Sequence, residues 1–519
     1  MPNVSADLRA FSAGLLTEEP VSYRARVSPE RTACIEIASG ETLSYAALNE
    51  RIARAAGFLQ TTLGSPAGER VAMLARNGID QIVIALACQR IGAVFAPLNW
   101  RLGASELAAI LADCAPALLI AAEEFAAAAR AAAEAKPGLT LLTLEGPDGA
   151  SARLRAAAPV AARAAEAEAP CILLYTSGTT GQPKGVVITR RNAFFSAINF
   201  AFVGEIGPAA VVLSDLPLFH TIGLVAVART TLTFGGTLVL SDRFTPPRSL
   251  AFLTDPAIGV THYFAVPQMI TSLRNDPGYP SADLSRLHAI FVGGAPLTKT
   301  LIESCLDDGV VLVNGYGMSE AGTAVHVPID RDAVRANPGS VGLPAPCIEV
   351  RIVGAEGADV SDGTIGEVWL RGPTVTPGYW NRPAETAAAF TDGWYRTGDL
   401  GFREANGFIR VVDRLKDMFI SGGENVYPAE IEAALITHPA VQEAAVIGVP
   451  DGRWGETGHA FVVPKPGFDP AVEEIASHCE ARLARFKLPT RILIVETIPR
   501  TASGKVQKHL LRREDAASS

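Results

Sequence analysis

Paired cysteines are missing from this sequence. Seven cysteines are scattered along 519 residues, and no two of them form a C-x-x-C pair. This odd, scattered set excludes a zinc site with C-x-x-C ligands and argues against the disulfide framework of a small secreted protein. Free thiols suit a reducing compartment, and we therefore expect a cytoplasmic protein.

An excess of positive charge and a long apolar run are also missing. The chain carries 45 Lys and Arg residues against 54 Asp and Glu residues, a formal net charge of -9, so we expect no nucleic-acid partner. The most apolar stretch, residues 82–98, is broken by Gln89 and Arg90. Residues 1–20 lack a basic region followed by an apolar one. We therefore expect no signal peptide and no integral membrane span.

What the sequence does contain is enough apolar material for several domains. Apolar residues make up 48% of the chain, and its length indicates about two to four domains. Apolar strand-like runs alternate along the chain with amphipathic helical runs. The strand-like runs are 71–74, 171–175, 289–292 and 310–314, and the helical runs are 79–90 and 297–307. This alternation predicts an α/β fold with a largely parallel sheet.

Three other stretches depart from this alternation. Residues 117–170 are rich in alanine and predict a surface helix and connector. Residues 347–372 contain short alternating strands with glycine-rich turns and predict a β-rich subdomain. After Asp413 come a glycine-rich loop at 421–423, a helix that starts at Pro428 and a further strand. These elements predict a separate small α+β domain.

Residues 176–185, TSGTTGQPKG, join two apolar runs. A loop of small residues exposes backbone N–H groups, adds hydroxyl donors and a lysine, and can hold a polyphosphate. It is not a Walker A loop, because that motif places glycine directly before the lysine and Pro183 stands before Lys184 here. From these residues alone, a phosphate-binding loop and a plain glycine- and threonine-rich turn both remain open.

Six later segments accompany this loop. They are LPLFHTIGL (216–224), GGAPL (293–297), NGYGMSEAG (314–322), GWYRTGDLG (393–401), DRLKDMFISGGENVYPAEIE (413–432) and PRTASGKVQK (499–508). Together with TSGTTGQPKG, and in this order, they resemble the motifs of the adenylate-forming superfamily, which includes acyl-CoA and aryl-CoA synthetases. The resemblance extends from Tyr175 to Lys508. It implies an ATP-dependent acid–CoA ligase that forms an acyl-adenylate and then a CoA thioester, releasing pyrophosphate and AMP.

The resemblance also implies how the chain is divided. A large N-terminal domain of parallel and mixed sheets layered with helices, including the β-rich subdomain, would span residues 1–413. A hinge at 414–416, with Lys416 in it, would lead to a small mobile C-terminal α+β domain at 417–519. This domain would first present the catalytic Lys505, which bridges the carboxylate and the α-phosphate. It would then rotate and present the CoA-binding residues Ser421, Gly422, Gly423 and Glu424.

The nucleotide site follows from the same resemblance. Glu320 would bind Mg²⁺ through its carboxylate, and Thr176 would face the same ion through its hydroxyl. Asp399 would accept hydrogen bonds from the ribose hydroxyls, with Arg414 beside it, and Lys184 would steady the β- and γ-phosphates. The full set expected to bind ATP or AMP is Thr176, Ser177, Gly178, Thr179, Thr180, Gly181, Lys184, Gly294, Ala295, Pro296, Asn314, Gly315, Tyr316, Gly317, Met318, Ser319, Asp399, Arg414 and Lys505.

The acyl pocket is expected to contain a gate residue and several small or aromatic residues. These are His220, Tyr263, Phe264, Gly293, Gly315 and Ala321. His220, the gate, joins Lys505, Glu320 and Thr176 in the expected catalytic set. Glycines with few charges suit a flat ring or an unbranched chain, so a hydroxycinnamate- or benzoate-like acid and a medium-chain fatty acid both remain open. The pocket segments contain no arginine for a second carboxylate, which disfavours a diacid.

Two alternatives to the CoA ligase stay open. The first is an enzyme that loads a free acyl carrier protein, and the second is an inactive protein that only binds AMP. We expect any carrier to be a separate protein, because no carrier domain is evident before Ser519. The presence of Glu320, Asp399 and Lys505 argues against the inactive protein. The oligomeric state is open, with a homodimer among the options.

Overall fold

Strands and helices are interspersed along the described part of residues 16–204 in this computed structural model. The structure describes residues 16–17, 19–134, 136, 138–162, 165–176, 183–294, 297–500 and 506–518. The first strands are β1 (Leu16–Thr17), β2 (Thr32–Glu36), β3 (Glu41–Ser44), β4 (Arg70–Leu74), β5 (Val94–Pro97), β6 (Leu118–Ala121), β7 (Thr140–Thr143), β8 (Ala165–Glu166), β9 (Pro170–Thr176) and β10 (Lys184–Thr189). The first helices are α1 (Pro20–Val27), α2 (Tyr45–Leu63), α3 (Ile79–Ile91), α4 (Ala104–Cys114), α5 (Ala126–Glu134), α6 (Ala150–Ala156) and α7 (Arg190–Gly204).

Six of these strands form one sheet, in the order β10-β9-β5-β4-β6-β7. All neighbours are parallel except β9 and β10, which pair antiparallel and bring Thr176 opposite Lys184. The apolar run 82–98 forms most of α3 and all of β5, both of which are buried. Among the described residues, no helix combines the length and apolar character that crossing a membrane requires.

A second sheet of nine strands carries the centre of the molecule. Its further strands are β11 (Val211–Ser214), β12 (Thr237–Leu240), β13 (His262–Ala265), β14 (Ala289–Val292), β15 (Leu312–Met318), β16 (Gly322–His326) and β17 (Leu343–Pro344). The order is β17-β16-β15-β14-β13-β11-β12-β2-β3, and the six strands from β15 to β2 in this order run parallel. Their carboxyl ends therefore meet at one edge, which is where open α/β sheets bind ligands.

Helices cover this second sheet. A π-helical stretch, Ile222–Arg229, continues into α8 (Thr230–Phe234). The remaining helices are α9 (Pro246–Thr254), α10 (Pro267–Arg274), α11 (Lys299–Asp307) and α12 (Arg331–Ala336). A side chain on Gly223 would meet the backbone oxygen of Pro217 at 2.4 Å, so only glycine lets the π-helical stretch approach the preceding loop this closely.

Two smaller sheets complete the chain. The first contains β18 (Glu349–Val353), β19 (Gly366–Arg371), β20 (Phe390–Thr391), β21 (Trp394–Arg403) and β22 (Ile409–Arg414), all antiparallel, with α13 (Pro383–Ala388) beside it. The second contains β23 (Phe419–Ser421), β24 (Glu424–Val426), β25 (Val441–Asp451), β26 (Gly455–Pro464) and β27 (Arg491–Ile494). The last helices are α14 (Pro428–Ile436), α15 (Val472–Glu480) and α16 (Lys508–Ser518).

The fold class expected from the sequence is confirmed. Parallel and mixed sheets are layered with helices, a β-rich part follows, and a C-terminal α+β part has a sheet of its own. Short one-turn helices lie at Glu123–Phe125, Tyr279–Ser281 and Arg485–Lys487. Helix α14 begins at Pro428, as predicted, since a first helical residue needs no backbone N–H donor.

The prediction of a surface helix and connector at 117–170 is wrong in part. Strands β6 and β7 come from this stretch and belong to the six-stranded sheet. All four residues of β6 are buried, because an apolar run of four suits a strand with both faces covered. Helix α5 also buries Ala126, Ala129 and Ala132 rather than lying free on the surface.

A buried ion pair joins the start of α1 to α3. The side chains of Arg90 and Glu19 are 1% and 0% exposed, and the guanidinium also donates to Asn49 Oδ1 at 2.7 Å. Glu19 in turn accepts the backbone N–H of Val21 at 2.8 Å. The pair therefore fastens the start of α1 against the core.

Replacing Arg90 by methionine should lower the free energy of unfolding by about 3–5 kcal/mol, because Glu19 would keep a buried charge without its partner. Chemical denaturation would measure the loss. The Glu19→Gln/Arg90→Met double variant should recover part of it, and a double variant less stable than Arg90→Met would contradict this account. Lys299→Met, in the exposed Lys299–Glu303 pair, is the control and should change stability by less than about 1 kcal/mol.

Candidate active site

A cavity of about 1820 Å³ lies where the parallel strands of the nine-stranded sheet end. Asp215 after β11, Val266 after β13 and Gly293 after β14 all line it. From the six-stranded sheet, the β9–β10 hairpin contributes Thr176 and Lys184. The cavity therefore opens between the two large sheets, with the hairpin on one side and strand ends on the other.

Most of the expected nucleotide residues that the structure describes line this cavity. They are Thr176, Lys184, Gly294, Gly315, Tyr316, Gly317, Met318, Ser319 and Arg414, and the expected metal ligand Glu320 lines it as well. Asn314 does not line the cavity. It is buried and its amide donates to the backbone oxygen of Ser340 at 2.7 Å. Eight expected residues lie outside the described residues: Ser177, Gly178, Thr179, Thr180, Gly181, Ala295, Pro296 and Lys505.

Three separate motifs meet at Asp399. Its carboxylate is buried behind the cavity wall and accepts a hydrogen bond from the hydroxyl of Tyr316 at 2.7 Å. Arg414 Nε lies 3.3 Å from the other carboxylate oxygen of Asp399. Arg414 on β22 is also the register partner of Asp399 on β21. Burial and the neighbouring Asp399 carboxylate raise the pKa of Tyr316 well above its ordinary value, so its hydroxyl remains a donor. The carboxylate is thus held in one orientation beside the cavity.

A second carboxylate, Glu320, is held by a tyrosine that no motif indicated. The hydroxyl of Tyr379 donates to Glu320 Oε1 at 3.0 Å and lies 3.2 Å from the hydroxyl of Tyr395. Lys184 Nζ lies 5.4 Å from the centre of the Tyr379 ring. Burial and Glu320 raise the pKa of Tyr379. The tyrosine therefore links Lys184 to the expected metal ligand.

Backbone pairing places Tyr379 at this position. Tyr379 bridges to Val186 of β10, and the N–H of Trp380 donates to the backbone oxygen of Gly185 at 2.7 Å. Its segment, TPGYW, has the composition of an ordinary turn, so no local signal in the sequence marks it. Sequence reasoning missed this residue because the pairing joins positions almost two hundred residues apart.

Four of the six residues expected in the acyl pocket line the cavity, and their acyl-binding role stays a prediction. His220, Phe264, Gly293 and Gly315 line the cavity. Tyr263 does not line the cavity. Neighbouring residues of a strand point to opposite faces of the sheet, so Tyr263 points away from the face on which Phe264 lies. Its buried hydroxyl donates to Asp215 Oδ2 at 3.0 Å. Ala321 does not line the cavity either, because its methyl group is fully buried in the core beneath the β-rich part. The expected acyl-pocket roles of these two residues are therefore corrected.

Arginines reach the cavity from outside the expected pocket segments. Arg76, Arg101 and Arg243 all line it. Arg76 Nε lies 2.9 Å from Glu124, and Arg243 Nε lies 3.7 Å from Asp242. The lack of arginine that disfavoured a diacid therefore holds for the pocket segments but not for the whole cavity.

Residues that follow β22 also line the cavity. Lys416, Arg500 and Gln507 line it, and burial lowers the pKa of the Lys416 ammonium. The expected CoA-binding residues Ser421, Gly422, Gly423 and Glu424 are not among the lining residues. They form the turn between β23 and β24, where Gly422 and Gly423 have φ values of 61° and 87° that favour glycine.

Comparison with known proteins identifies relatives along nearly the whole chain. The family model described as "AMP-binding enzyme" matches residues 21–380, and "AMP-binding enzyme C-terminal domain" matches residues 430–505. A feruloyl-CoA synthase from Amycolatopsis sp. is 40% identical over 499 residues, which cover 94% of this chain and 97% of the relative. The fatty acid–[acyl-carrier-protein] ligase ScoC from Streptomyces coeruleorubidus is 34% identical over 510 residues, 95% of either chain.

A solved structure is similar over the same extent. It is o-succinylbenzoate CoA synthetase (MenE) from Bacillus subtilis in complex with the acyl-adenylate intermediate OSB-AMP. The TM-score is 0.87 at 31% sequence identity, and the match covers 96% of this chain and 98% of the other.

Replacing Tyr316 by phenylalanine should weaken AMP binding about five- to tenfold, which corresponds to roughly 1 kcal/mol, because Asp399 loses a hydrogen-bond donor that orients it. Isothermal titration calorimetry with AMP would measure the change. Tyr263→Phe is a matched control, since it removes the same hydroxyl from the Asp215 carboxylate. Equal loss of affinity in the two variants would contradict a specific role for the Tyr316–Asp399 bond.

Proposed function

The chain belongs to the family of AMP-binding enzymes, the adenylate-forming acid–CoA ligases, and from this we propose that its substrate is an apolar aromatic acid or a medium-chain fatty acid. The enzyme is an AMP-forming acid–thiol ligase. The acid carboxylate attacks the α-phosphorus of ATP, which gives an acyl-adenylate and pyrophosphate. The thiol of CoA then takes the acyl group, which gives the thioester and AMP.

One observation carries this conclusion: a single cavity unites residues from motifs that lie far apart in the sequence. Lys184, Glu320 and Arg414 lie on its wall together with His220 and Phe264. Cations and a carboxylate suit a nucleotide with its metal ion, and the aromatic and glycine residues suit an apolar acid. ATP and the acid, the two substrates of the first half-reaction, would therefore bind in the same cavity.

Magnesium is the proposed metal ion. Glu320, which lines the cavity, would supply one hard carboxylate ligand. This fits Mg²⁺, which keeps several waters and binds through one or two carboxylates and substrate phosphates. Thr176 is proposed to face the same ion. The bound ion would offset the negative charge of the phosphates. Tyr379 orients Glu320 for this task.

We infer that Asp399 binds the ribose and that Lys184 steadies the β- and γ-phosphates. The donors Tyr316 and Arg414 hold the Asp399 carboxylate in place, so that it can accept bonds from two neighbouring hydroxyls without first having to be ordered. Lys184 begins β10, a strand paired along its length with β9, which keeps its backbone in a defined position.

A two-step use of the C-terminal part is also proposed. The large domain would span 1–413, the hinge 414–416 and the mobile domain 417–519. Arg500 and Gln507, which flank the segment with Lys505, line the cavity, whereas the Gly422–Gly423 turn does not. This arrangement suits adenylation, and a rotation about the hinge would bring the turn to the cavity for thioester formation.

The proposed compartment is the cytoplasm. All seven cysteines are free thiols and six of them are buried. Burial raises the pKa of the Cys34 thiol to about 12 and that of Cys305 to about 11, which keeps them protonated and unreactive. Such a set needs no oxidising environment for folding.

Release of AMP tests the reaction directly. The enzyme would be incubated with ATP, Mg²⁺ and a panel of aromatic acids and short- to medium-chain fatty acids, with either CoA or a free acyl carrier protein as acceptor. We expect acid-dependent AMP release and an acyl-CoA product detected by mass spectrometry. Turnover with the carrier alone would refute CoA as the acceptor and favour carrier loading.

Lys505→Ala should abolish adenylation of the acid but spare thioester formation from preformed acyl-AMP, because the second step uses the rotated domain. Pyrophosphate release and acyl-AMP consumption would measure the two half-reactions separately. Lys465→Ala is the control: Lys465 lies in the same part of the chain and donates to the backbone oxygen of Pro439 at 2.8 Å. Equal loss of both half-reactions in Lys505→Ala would contradict this division of labour.

A further inference from the structure

His326 lies on the inner wall of the cavity and has no part in the reaction described above. It ends strand β16, its side chain lines the cavity, and it is 6% exposed. In the register of β15 and β16 it is paired with Gly315. A side chain on Gly315 would meet His326 Cε1 at 2.3 Å. The glycine therefore leaves the imidazole ring directly beneath the acyl pocket.

The surroundings of this ring are aromatic. The ring centres of Phe200 and Phe291 lie 6.0 and 6.1 Å from that of His326, and Phe264, which also lines the cavity, lies 5.7 Å from Phe200. Both Phe200 and Phe291 are 1% exposed. An acid that reaches this wall would therefore contact apolar rings and one imidazole.

The imidazole of His326 has hydrogen-bonding capacity to spare. Its Nδ1 is enclosed by the protein and has no hydrogen-bond partner among the described residues, and it is the ring as a whole that borders the cavity. Burial lowers the pKa of His326 to about 4, so the ring is neutral near pH 7. A neutral imidazole carries one N–H donor and one acceptor nitrogen, and a buried polar group of this kind costs free energy until it finds a partner.

We propose that His326 is a specificity-determining residue, which forms a hydrogen bond with a hydroxyl group on the ring of an aromatic acid, at the end remote from the carboxylate. This inference rests on the proposed function, since it narrows the acid within the proposed range. A hydroxyl can donate to or accept from the neutral ring, and the phenylalanines pack around the aromatic part. A saturated fatty acid would leave the imidazole without a partner, so this wall disfavours it.

The chain offers a matched control in His262. It is 5% exposed, its ring centre lies 6.2 Å from that of Phe291, and one of its ring nitrogens has no hydrogen-bond partner among the described residues. Burial lowers the pKa of His262 to about 4 as well. Unlike His326, it is not among the residues that line the cavity. Replacing either histidine removes a buried imidazole next to Phe291. Only the replacement of His326 changes a residue that lines the cavity.

The test compares 4-hydroxycinnamic acid with cinnamic acid, which lacks only the ring hydroxyl. Acyl-CoA formation would be measured as kcat/KM for both acids with the wild-type enzyme and with His326→Leu, His326→Gln and His262→Leu. We expect the wild type to favour the hydroxylated acid by about tenfold or more. His326→Leu should remove this preference, His326→Gln should keep part of it, and His262→Leu should leave it intact.

Three outcomes would overturn the inference. They are equal kcat/KM for the two acids with wild type, an unchanged preference in His326→Leu, or the same loss of preference in His262→Leu. The comparison of the two acids with the wild-type enzyme needs no variant, so it tests the inference even if a variant folds poorly. If the enzyme forms a thioester with none of the acids in the panel, the proposed function is refuted instead. Thioester formation without any preference for the hydroxyl refutes only the inference.

Discussion

The pairing of β15 with β16 connects the nucleotide side of the cavity to the acyl side. One continuous run, residues 314–326, supplies Tyr316 for the Asp399 carboxylate, Glu320 for the proposed metal ion and His326 for the inner wall. Both strands are hydrogen-bonded and β15 also pairs with β14, so the backbones at Tyr316 and His326 are fixed relative to each other, and Glu320 lies in the short turn between the two strands. The sheet therefore fixes how far the Tyr316 end of the cavity wall lies from the His326 end.

Tyrosine hydroxyls hold the two carboxylates of the nucleotide side. Tyr316 donates to Asp399 and Tyr379 donates to Glu320, and burial raises the pKa of both phenols. A neutral hydroxyl orients a carboxylate without cancelling its charge, which leaves that charge available to a metal ion or to ribose hydroxyls. At Asp399 the guanidinium of Arg414 lies beside the other carboxylate oxygen, so this carboxylate has one neutral and one charged partner.

Burial also decides the chemistry of the inner wall. His326 and His262 lie near the same phenylalanine, Phe291, and both are kept neutral, yet only His326 borders the cavity. The glycine at 315 makes this possible, since any larger residue would fill the space over the imidazole. Choice of the acid would thus depend on a residue outside the motifs that define the reaction.

The sequence alone determined the fold class and the reaction, and it named most of the residues that line the cavity on its proposed nucleotide side, because motifs such as NGYGMSEAG and GWYRTGDLG are local patterns. Pro428 likewise predicted the start of α14, and the alternation of apolar runs predicted the parallel strands, since both signals depend on neighbouring residues. Reading local composition has limits, however. It failed at β6, where an alanine-rich context masked a strand that its sheet partners stabilise. Only the tertiary structure decided that Tyr379 meets Glu320, that Tyr263 faces Asp215 and that His326 lies beneath Gly315. The physical reason is that pairing between distant strands sets which side chains share a space, and no local pattern carries that information.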